Sequence, residues 1–252
     1  MQVVSVSNNK GGSGKTTTTV NLAAAFAERG LRVLVVDLDP QGSATHWLRG
    51  SESNRGLVEF SAGGMRVSKL VRESPVHGVD LIPTSASLVP PGDDSRNATG
   101  LSIVHAFARL PDYWDLVLID TPPTLGYLCL ASIAVSNHVV IPVEAHALGL
   151  VGVATVIASI DRARRHVNPR IELLGIIVCR VRATRHTRQI VAQLRAEFGA
   201  GVLTNSVREA IAVAEAPASR VPITEYAPGS RVVEDYQAVA AELLGRLGNL
   251  ES

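Results

Sequence analysis

The segment "NNKGGSGKTTTT", residues 8–19, constrains the fold more than any other part of this chain. An apolar run typical of a strand precedes it, and a helix pattern begins at Lys15. Glycines let backbone N–H groups turn inward around a phosphate, and the N-terminus of the following helix adds partial positive charge. A glycine-rich turn before an ordinary helix is the alternative. The order of strand, loop, Gly-Lys-Thr and helix favours a phosphate-binding loop.

The loop departs from the standard pattern, G-x-x-x-x-G-K-[ST], because Asn9 stands where the first glycine is required. Lys15 is expected to reach the β and γ phosphates, and the Thr16 hydroxyl to bind Mg²⁺. A second lysine, Lys10, lies in the same loop. Of the 24 basic residues only three are lysines, and Lys69 is the third. Two lysines within six residues of an arginine-rich chain indicate sites that need a compact ammonium charge.

Alternating apolar runs and helical patterns predict a doubly wound, mainly parallel α/β sheet flanked by helices, in a single domain over 1–252. Strands are predicted at 2–8, 32–39, 79–83, 114–120, 138–143 and 172–179. Helices are predicted at 15–28, 101–110, 124–135, 146–166, 184–198 and 230–247. The apolar stretch 148–160 is too short to cross a membrane and is interpreted as a helix buried in the core. The sequence "PPGDD" at 90–94 predicts a surface loop.

Acidic side chains follow two of the predicted strands. Asp37 and Asp39 end "VLVVDLD", and Asp120 ends "DLVLID". A magnesium nucleotide needs an acid at the end of a strand beside the phosphate loop, and Asp120 suits that role. A carboxylate that merely caps a turn is the alternative, and for Asp37 the two interpretations are about equally supported.

A basic segment covers residues 161–198, which hold nine arginines against three acidic residues, a net charge of +6. Such asymmetry indicates a polyanion-binding face. Its densest part, "RVRATRHTR" at 180–188, makes Arg182, Arg185 and Arg188 the candidate DNA-binding residues. Because few aromatic residues are interleaved, contacts to phosphate without sequence preference are expected. A solvated surface is the alternative.

Four segments together resemble the ParA/MinD family of deviant Walker-type ATPases, in order and over nearly the whole chain. They are "KGGSGKTTT" (10–18), "VDLDPQGSAT" (36–45), "YWDLVLIDTPPTL" (113–125) and "AEAPAS" (214–219). The resemblance implies a P-loop fold with ATP and Mg²⁺ as cofactors. It implies that Lys10 is the signature lysine that crosses a dimer interface to the partner's phosphates, and that Asp39 orients the attacking water. It also implies a metal site and a nucleotide site. The metal-site residues are Thr16, Asp39 and Asp120; the nucleotide-site residues are Lys10, Gly11, Gly12, Ser13, Gly14, Lys15, Thr16, Thr17 and Arg208.

Within that family the chain looks more like ParA (Soj-like) partition proteins than MinD, because its C-terminus lacks a basic amphipathic membrane helix. The resemblance implies a slow, partner-stimulated ATPase that forms an ATP-dependent homodimer, binds DNA non-specifically and positions a chromosome or plasmid partition complex through a ParB-like adaptor. One alternative is that the same ATPase mechanism positions a protein organelle or another cellular cargo. Another is a metabolic ATPase or kinase of the same superfamily. Two cysteines without metal spacing and no visible signal peptide predict a cytoplasmic, nucleoid-associated protein with no membrane partner.

Overall fold

The protein is described from a computed structural model covering residues 1–50, 56–63, 65–90, 92–146 and 148–248. Its sheet has seven strands in the order β3-β4-β2-β5-β1-β6-β7, all parallel except β3, which pairs antiparallel with β4. The strands are β1 Gln2–Val6, β2 Val33–Asp37, β3 Arg72–Glu73, β4 Val79–Ile82, β5 Leu116–Asp120, β6 His138–Glu144 and β7 Glu172–Cys179.

Helices connect the strands and cover both faces of the sheet. They are α1 Lys15–Ala27, α2 Ser43–Trp47, α3 Leu57–Ser61, α4 Val67–Leu70, α5 Asp93–Ala108, α6 Tyr127–Val135, α7 Leu148–His166, α8 Arg185–Phe198, α9 Ile211–Ser219, α10 Ile223–Tyr226 and α11 Arg231–Leu247. None of the helices in the described ranges combines the length and the apolar character needed to cross a bilayer.

Both faces of the central strands are buried, as their continuous apolar runs predict. In β2, Val33 and Val35 pack into the core shared with α1 and α11, while Leu34 and Val36 pack into the opposite core with α5 and α6. A third core lies between β6, β7, α7 and α8. The predicted fold class is therefore confirmed.

Strand register brings the chemistry-bearing segments to one edge. Val6 at the end of β1 and Asp37 at the end of β2 both lie beside Asp120 at the end of β5. The phosphate loop that follows β1, the acidic segment that follows β2 and Asp120 therefore meet at the carboxyl edge of the sheet, where ligands bind in open α/β folds.

The six predicted strands are confirmed within two residues, and five of the six helices within three. The surface loop predicted at 90–94 is wrong for Asp93 and Asp94, which begin α5 eight residues before the predicted start. Gly92, the N-cap residue, turns the chain with φ 83°, so this polar stretch starts a helix without an apolar pattern. Pro91 lies outside the described residues.

The prediction that 148–160 is buried in the core is wrong for one face of α7. Val153, Val156 and Ile160 are buried, but Val151 is 65% exposed, and Ala154 is also exposed. Because α7 covers the outer face of the sheet, its far side faces solvent even though its residues are small and apolar.

Candidate functional site

The phosphate loop runs from the end of β1 to the first residue of α1. Gly12 and Gly14 have φ values of 75° and 89°, a left-handed conformation that favours glycine. A side chain at Gly11 or Gly12 would meet no atom within 4 Å, so the loop backbone borders open space. No side chain caps the first turn of α1, since Gly14 is its N-cap. The backbone N–H groups at this end are therefore available to an anion.

A cleft of about 600 Å³ opens beside the loop, and residues 11–18 form one of its walls. Within the loop, Ser13 Oγ is buried and has no hydrogen-bond partner among the described residues. A buried hydroxyl without a partner costs roughly 1–3 kcal/mol, which a phosphate oxygen accepting from it would offset. The loop thus carries both the geometry and an unsatisfied donor for a phosphate.

Lys15 is buried at the base of the cleft, and its Nζ donates to the Lys10 carbonyl oxygen at 3.2 Å. Burial lowers the pKa of Lys15, and the negative charges of Asp120 and Asp39 oppose that shift. A phosphate in the cleft would add negative charge and favour the ammonium form further. Lys15 therefore lies where the sequence predicts a phosphate-binding lysine.

Asp120 is fully buried, and its two oxygens accept hydrogen bonds from the hydroxyls of Thr16 at 2.7 Å and Thr19 at 3.4 Å. Burial raises the pKa of Asp120 well above its usual value, and the nearby charge of Asp37 raises it further. A hydroxyl and a carboxylate at the end of a strand are oxygen ligands of the kind that Mg²⁺ takes. The residues present therefore fit a magnesium ion held next to the phosphates.

The Asp37 carboxylate accepts hydrogen bonds from residues that follow it in the chain. Its Oδ2 accepts from Thr45 N and Thr45 Oγ1, each at 2.7 Å, and its Oδ1 accepts from Asp39 N at 3.0 Å. These bonds tie the end of β2 to the first turns of α2, which supports the capping interpretation. Burial raises the pKa of Asp37 to about 6.

Asp39 differs from Asp37 in facing the cleft, although it is only 8% exposed. Its Oδ1 accepts from the backbone N of Gln41 at 3.0 Å. Asp39 thus borders the same cleft as the phosphate loop, and its other carboxylate oxygen, Oδ2, has no hydrogen-bond partner in the residues that the structure describes.

Lys10 does not line the cleft, although the next residue, Gly11, does. Its Nζ contacts His146 Nε2 and lies 3.7 Å from Glu144 Oε2, and its side chain is 39% exposed. The two loop lysines therefore differ in position. Lys15 lies in the cleft of its own chain, whereas Lys10 lies at the surface next to that cleft.

Comparison with known proteins places this geometry in a family. A profile described as "AAA domain" matches residues 1–173. The chromosome-partitioning ATPase Soj of Thermus thermophilus is 39% identical over 245 residues, covering 97% of this chain and 96% of Soj. The chromosome partitioning protein ParA of Caulobacter vibrioides is 30% identical over 253 residues, covering 98% of this chain and 95% of ParA.

The chain belongs to the ParA/MinD family of ATPases. Among solved structures, cobyrinic acid a,c-diamide synthase from Mycobacterium smegmatis, with bound ADP and magnesium, superposes with a TM-score of 0.82 at 26% identity. That match covers 99% of this chain and 96% of the synthase. This ParA/MinD-type chain is an ATPase with ATP and Mg²⁺ as its cofactors.

The described residues hold no group of three or more His, Cys, Asp and Glu side chains placed to hold a metal ion. A ParA/MinD-type ATPase does not need one, because Mg²⁺ commonly takes one or two protein ligands together with phosphate oxygens and water. Thr16 and Asp120 would supply that limited set. When bound, Mg²⁺ offsets the charge of the β and γ phosphates.

The far wall of the cleft in this ATPase is built from the segment around the start of α9. Its members are Val207, Arg208, Glu209, Ala210, Ile211, Val213, Ala214 and Pro217. Arg208, a predicted nucleotide-site residue, lines this wall, and its guanidinium is paired in a bidentate fashion with Asp235, at 2.6 and 2.7 Å. The apolar members of this wall, which could pack against a nucleotide base, were missed by the sequence analysis. The apolar run just before the quoted "AEAPAS" motif was the available signal.

The nine arginines of the basic segment lie towards both ends of one strand, and the prediction of a polyanion-binding face stays a prediction. Strand β7, about 26 Å long for its eight residues, separates them into two groups. Arg180, Arg182, Arg185 and Arg188 lie at the carboxyl edge near the cleft; Arg162, Arg164, Arg165, Arg170 and Arg195 lie towards the other edge.

At the carboxyl edge the arginines differ in their availability. Arg182 is paired with both carboxylate oxygens of Glu209, one of them at 2.7 Å. Arg185 and Arg188 are exposed in the first turn of α8 and have no ion-pair or hydrogen-bond partner for their side chains among the described residues. The two α8 arginines are therefore the more available of the three candidates.

Proposed function

We propose that this chain is a nucleotide-switched positioning ATPase that segregates a chromosome or plasmid partition complex. ATP drives two subunits into a dimer, and the dimer binds DNA without sequence preference. A ParB-like adaptor that binds the centromere stimulates ATP hydrolysis, and hydrolysis releases the dimer from the DNA. The names of the Soj and ParA relatives support the partition role. The proposal implies a single ATPase domain in a cytoplasmic, nucleoid-associated protein.

The observation that carries the proposal is the position of Lys10. A lysine inside a phosphate loop would ordinarily serve the phosphates of its own chain, yet Lys15 already lies at the base of the cleft. Lys10 lies outside that cleft with a partly exposed ammonium group. Two nucleotides facing each other across an interface concentrate negative charge, and a lysine contributed by each partner would offset it.

The remaining site residues have roles that follow from their positions. The loop amides of residues 11–14 and Lys15 bind the phosphates, and Thr17 follows them in the first turn of α1. Thr16 and Asp120 hold Mg²⁺, with Asp39 close to that site, where it also orients the water. Arg208 orders the base-facing wall through Asp235.

Light scattering with ATP or ADP tests the proposal on three proteins: wild type, Lys10→Ala and Lys69→Ala. Lys69 is an exposed lysine far along the chain, so its variant controls for loss of one positive charge. Wild type and Lys69→Ala should dimerise with ATP. Lys10→Ala should bind ATP, because Lys15 and the loop amides remain, but stay monomeric. Dimerisation by Lys10→Ala, or its absence in wild type, would contradict the proposal.

A metabolic ATPase is the second candidate, and the likeness to cobyrinic acid a,c-diamide synthase favours it. ATP hydrolysis that rises with duplex DNA and an adaptor protein would support the positioning function. A hydrolysis rate that does not change when DNA is added would support the metabolic function. A neighbouring gene for a centromere-binding protein would separate a partition complex from a protein organelle or another cargo.

A further inference from the structure

Glu144 gathers three basic side chains at the end of β6. Its carboxylate lies 2.5 Å from Arg180 Nη1, 3.0 Å from His146 Nε2 and 3.7 Å from Lys10 Nζ. The Glu144 side chain is 14% exposed, whereas that of Lys10 is 39% exposed. A largely buried acid thus holds a more exposed lysine against its own subunit.

His146 completes the arrangement but cannot replace the acid. An ammonium group only donates hydrogen bonds, so Nε2 of His146 must act as the acceptor when it contacts Lys10. The same nitrogen then has no proton to donate to Glu144. The charge of Glu144 therefore supplies the electrostatic attraction that keeps Lys10 in place.

We propose that Glu144 is a positioning residue that retains Lys10 on its own subunit and competes with the partner's phosphates for it. The inference rests on the proposed role of Lys10 across the dimer. In this arrangement ATP-dependent dimerisation is an exchange of partners, in which Lys10 leaves one carboxylate and joins a phosphate group. Glu144 thereby opposes dimerisation until the partner's ATP arrives.

The exposure of Lys10 sets the size of this effect. An ion pair with a partly exposed partner changes an equilibrium constant, here that of dimerisation, by up to about fivefold. A dimer releases two such pairs, so loss of the Glu144 charge should tighten ATP-dependent dimerisation by about 2- to 25-fold. The ion pair between Glu144 and Lys10 is therefore weak enough for the partner's phosphates to replace Glu144.

Amine labelling tests the contact between Glu144 and Lys10 directly, and it does not require dimerisation. The chain has three lysines, so peptides modified by acetic anhydride can be assigned without ambiguity. Exposed Lys69 serves as the internal standard. In nucleotide-free protein, Glu144→Gln should raise the ratio of Lys10 to Lys69 labelling about 2- to 5-fold, because the amide keeps the shape but not the charge. Glu197→Gln, which removes an exposed acid on α8, should leave the ratio unchanged.

Arg180 also pairs with Glu144 and borders the nucleotide cleft, so its contribution must be separated. Arg180→Gln removes a competing cation from Glu144 and should not raise Lys10 labelling. Dimer dissociation constants with ATP are then measured in the Asp39→Ala background, which slows hydrolysis. Glu144→Gln should give the tighter dimer, Glu144→Asp an intermediate value, and Glu197→Gln the value of the background alone.

The outcomes separate the two proposals. Unchanged Lys10 labelling in Glu144→Gln would overturn the inference, whatever the oligomeric state. Raised labelling without a tighter dimer would also overturn it, because Glu144 would then not compete with the partner. Absence of any ATP dimer in the background protein would refute the proposed function, while labelling would still report on the contact between Glu144 and Lys10.

Discussion

Asp37 should make the nucleotide-free protein lose stability as the pH rises from acidic to neutral. Burial raises the pKa of Asp37 to about 6, against an ordinary value of 3.8. Between these values the folded state retains a proton that the unfolded state has released. The free energy of unfolding therefore falls as pH increases, with the stabilising contribution complete below 3.8 and lost above 6.

A shift of roughly two pH units corresponds to about 3 kcal/mol in total. Roughly half of it is lost between pH 5.0 and 7.5, because part of the transition lies below pH 5. Asp120 acts in the same direction, since burial raises its pKa as well. His138 acts in the opposite direction, because burial lowers its pKa and the folded state resists its protonation.

Urea unfolding in EDTA at pH 5.0 and 7.5 measures the effect, with Asp37→Asn as the comparison. The variant loses hydrogen bonds to Thr45 and is less stable at both pH values, so the informative quantity is the change between them. His138 is present in both proteins and cancels. Wild type should lose roughly 1–2 kcal/mol more than Asp37→Asn, which also lacks the Asp37 charge that raises the pKa of Asp120. An equal loss in both proteins would show that Asp37 ionises normally in the folded state.

The other predictions concern the nucleotide and DNA. Lys15→Ala should weaken ATP binding by about 10- to 150-fold, the effect of a lost charge-assisted phosphate contact, and unchanged affinity in a fluorescent-nucleotide titration would remove Lys15 from the site. Asp39→Ala should bind ATP and dimerise but hydrolyse poorly, so normal phosphate release would exclude its role in orienting water. Arg185→Glu with Arg188→Glu should abolish binding to two unrelated duplexes, whereas Arg162→Glu with Arg165→Glu, at the other edge, should not. Four such contacts per dimer predict a salt slope of about −3.6 in anisotropy titrations, and a strong preference for one duplex would contradict phosphate-only binding.

The parts of the site that lie next to each other in sequence could be predicted. The phosphate loop is a local pattern, and its glycines occupy the left-handed conformations that such a loop requires. Asp120 could be predicted because strand ends in a parallel sheet meet at one edge, and the register with Asp37 confirms this. Local chemistry and sheet topology together fix these positions.

Contacts between distant segments could not be predicted. Lys10 meets His146 across 136 residues, and Arg182 meets Glu209 across 27. No periodicity in the sequence encodes such pairs, because they depend on how loops from different strands approach each other. For the same reason a count of arginines could not show that β7 divides them between two edges.

The phosphate site is unfavourable in the protein alone, and the same features make it suitable for a magnesium nucleotide. Burial favours the neutral form of Lys15 and the protonated form of Asp120, while Ser13 Oγ lacks a partner among the described residues. Phosphate oxygens would accept from Lys15 and Ser13, and Mg²⁺ would favour the ionised form of Asp120. Each feature that costs stability in the protein alone is thus offset by one part of the ligand, so metal and nucleotide should bind cooperatively. The loop of eight residues, 7–14, carries both the glycines that border the cleft and Lys10, so in the proposed dimer one segment serves the nucleotides of both subunits.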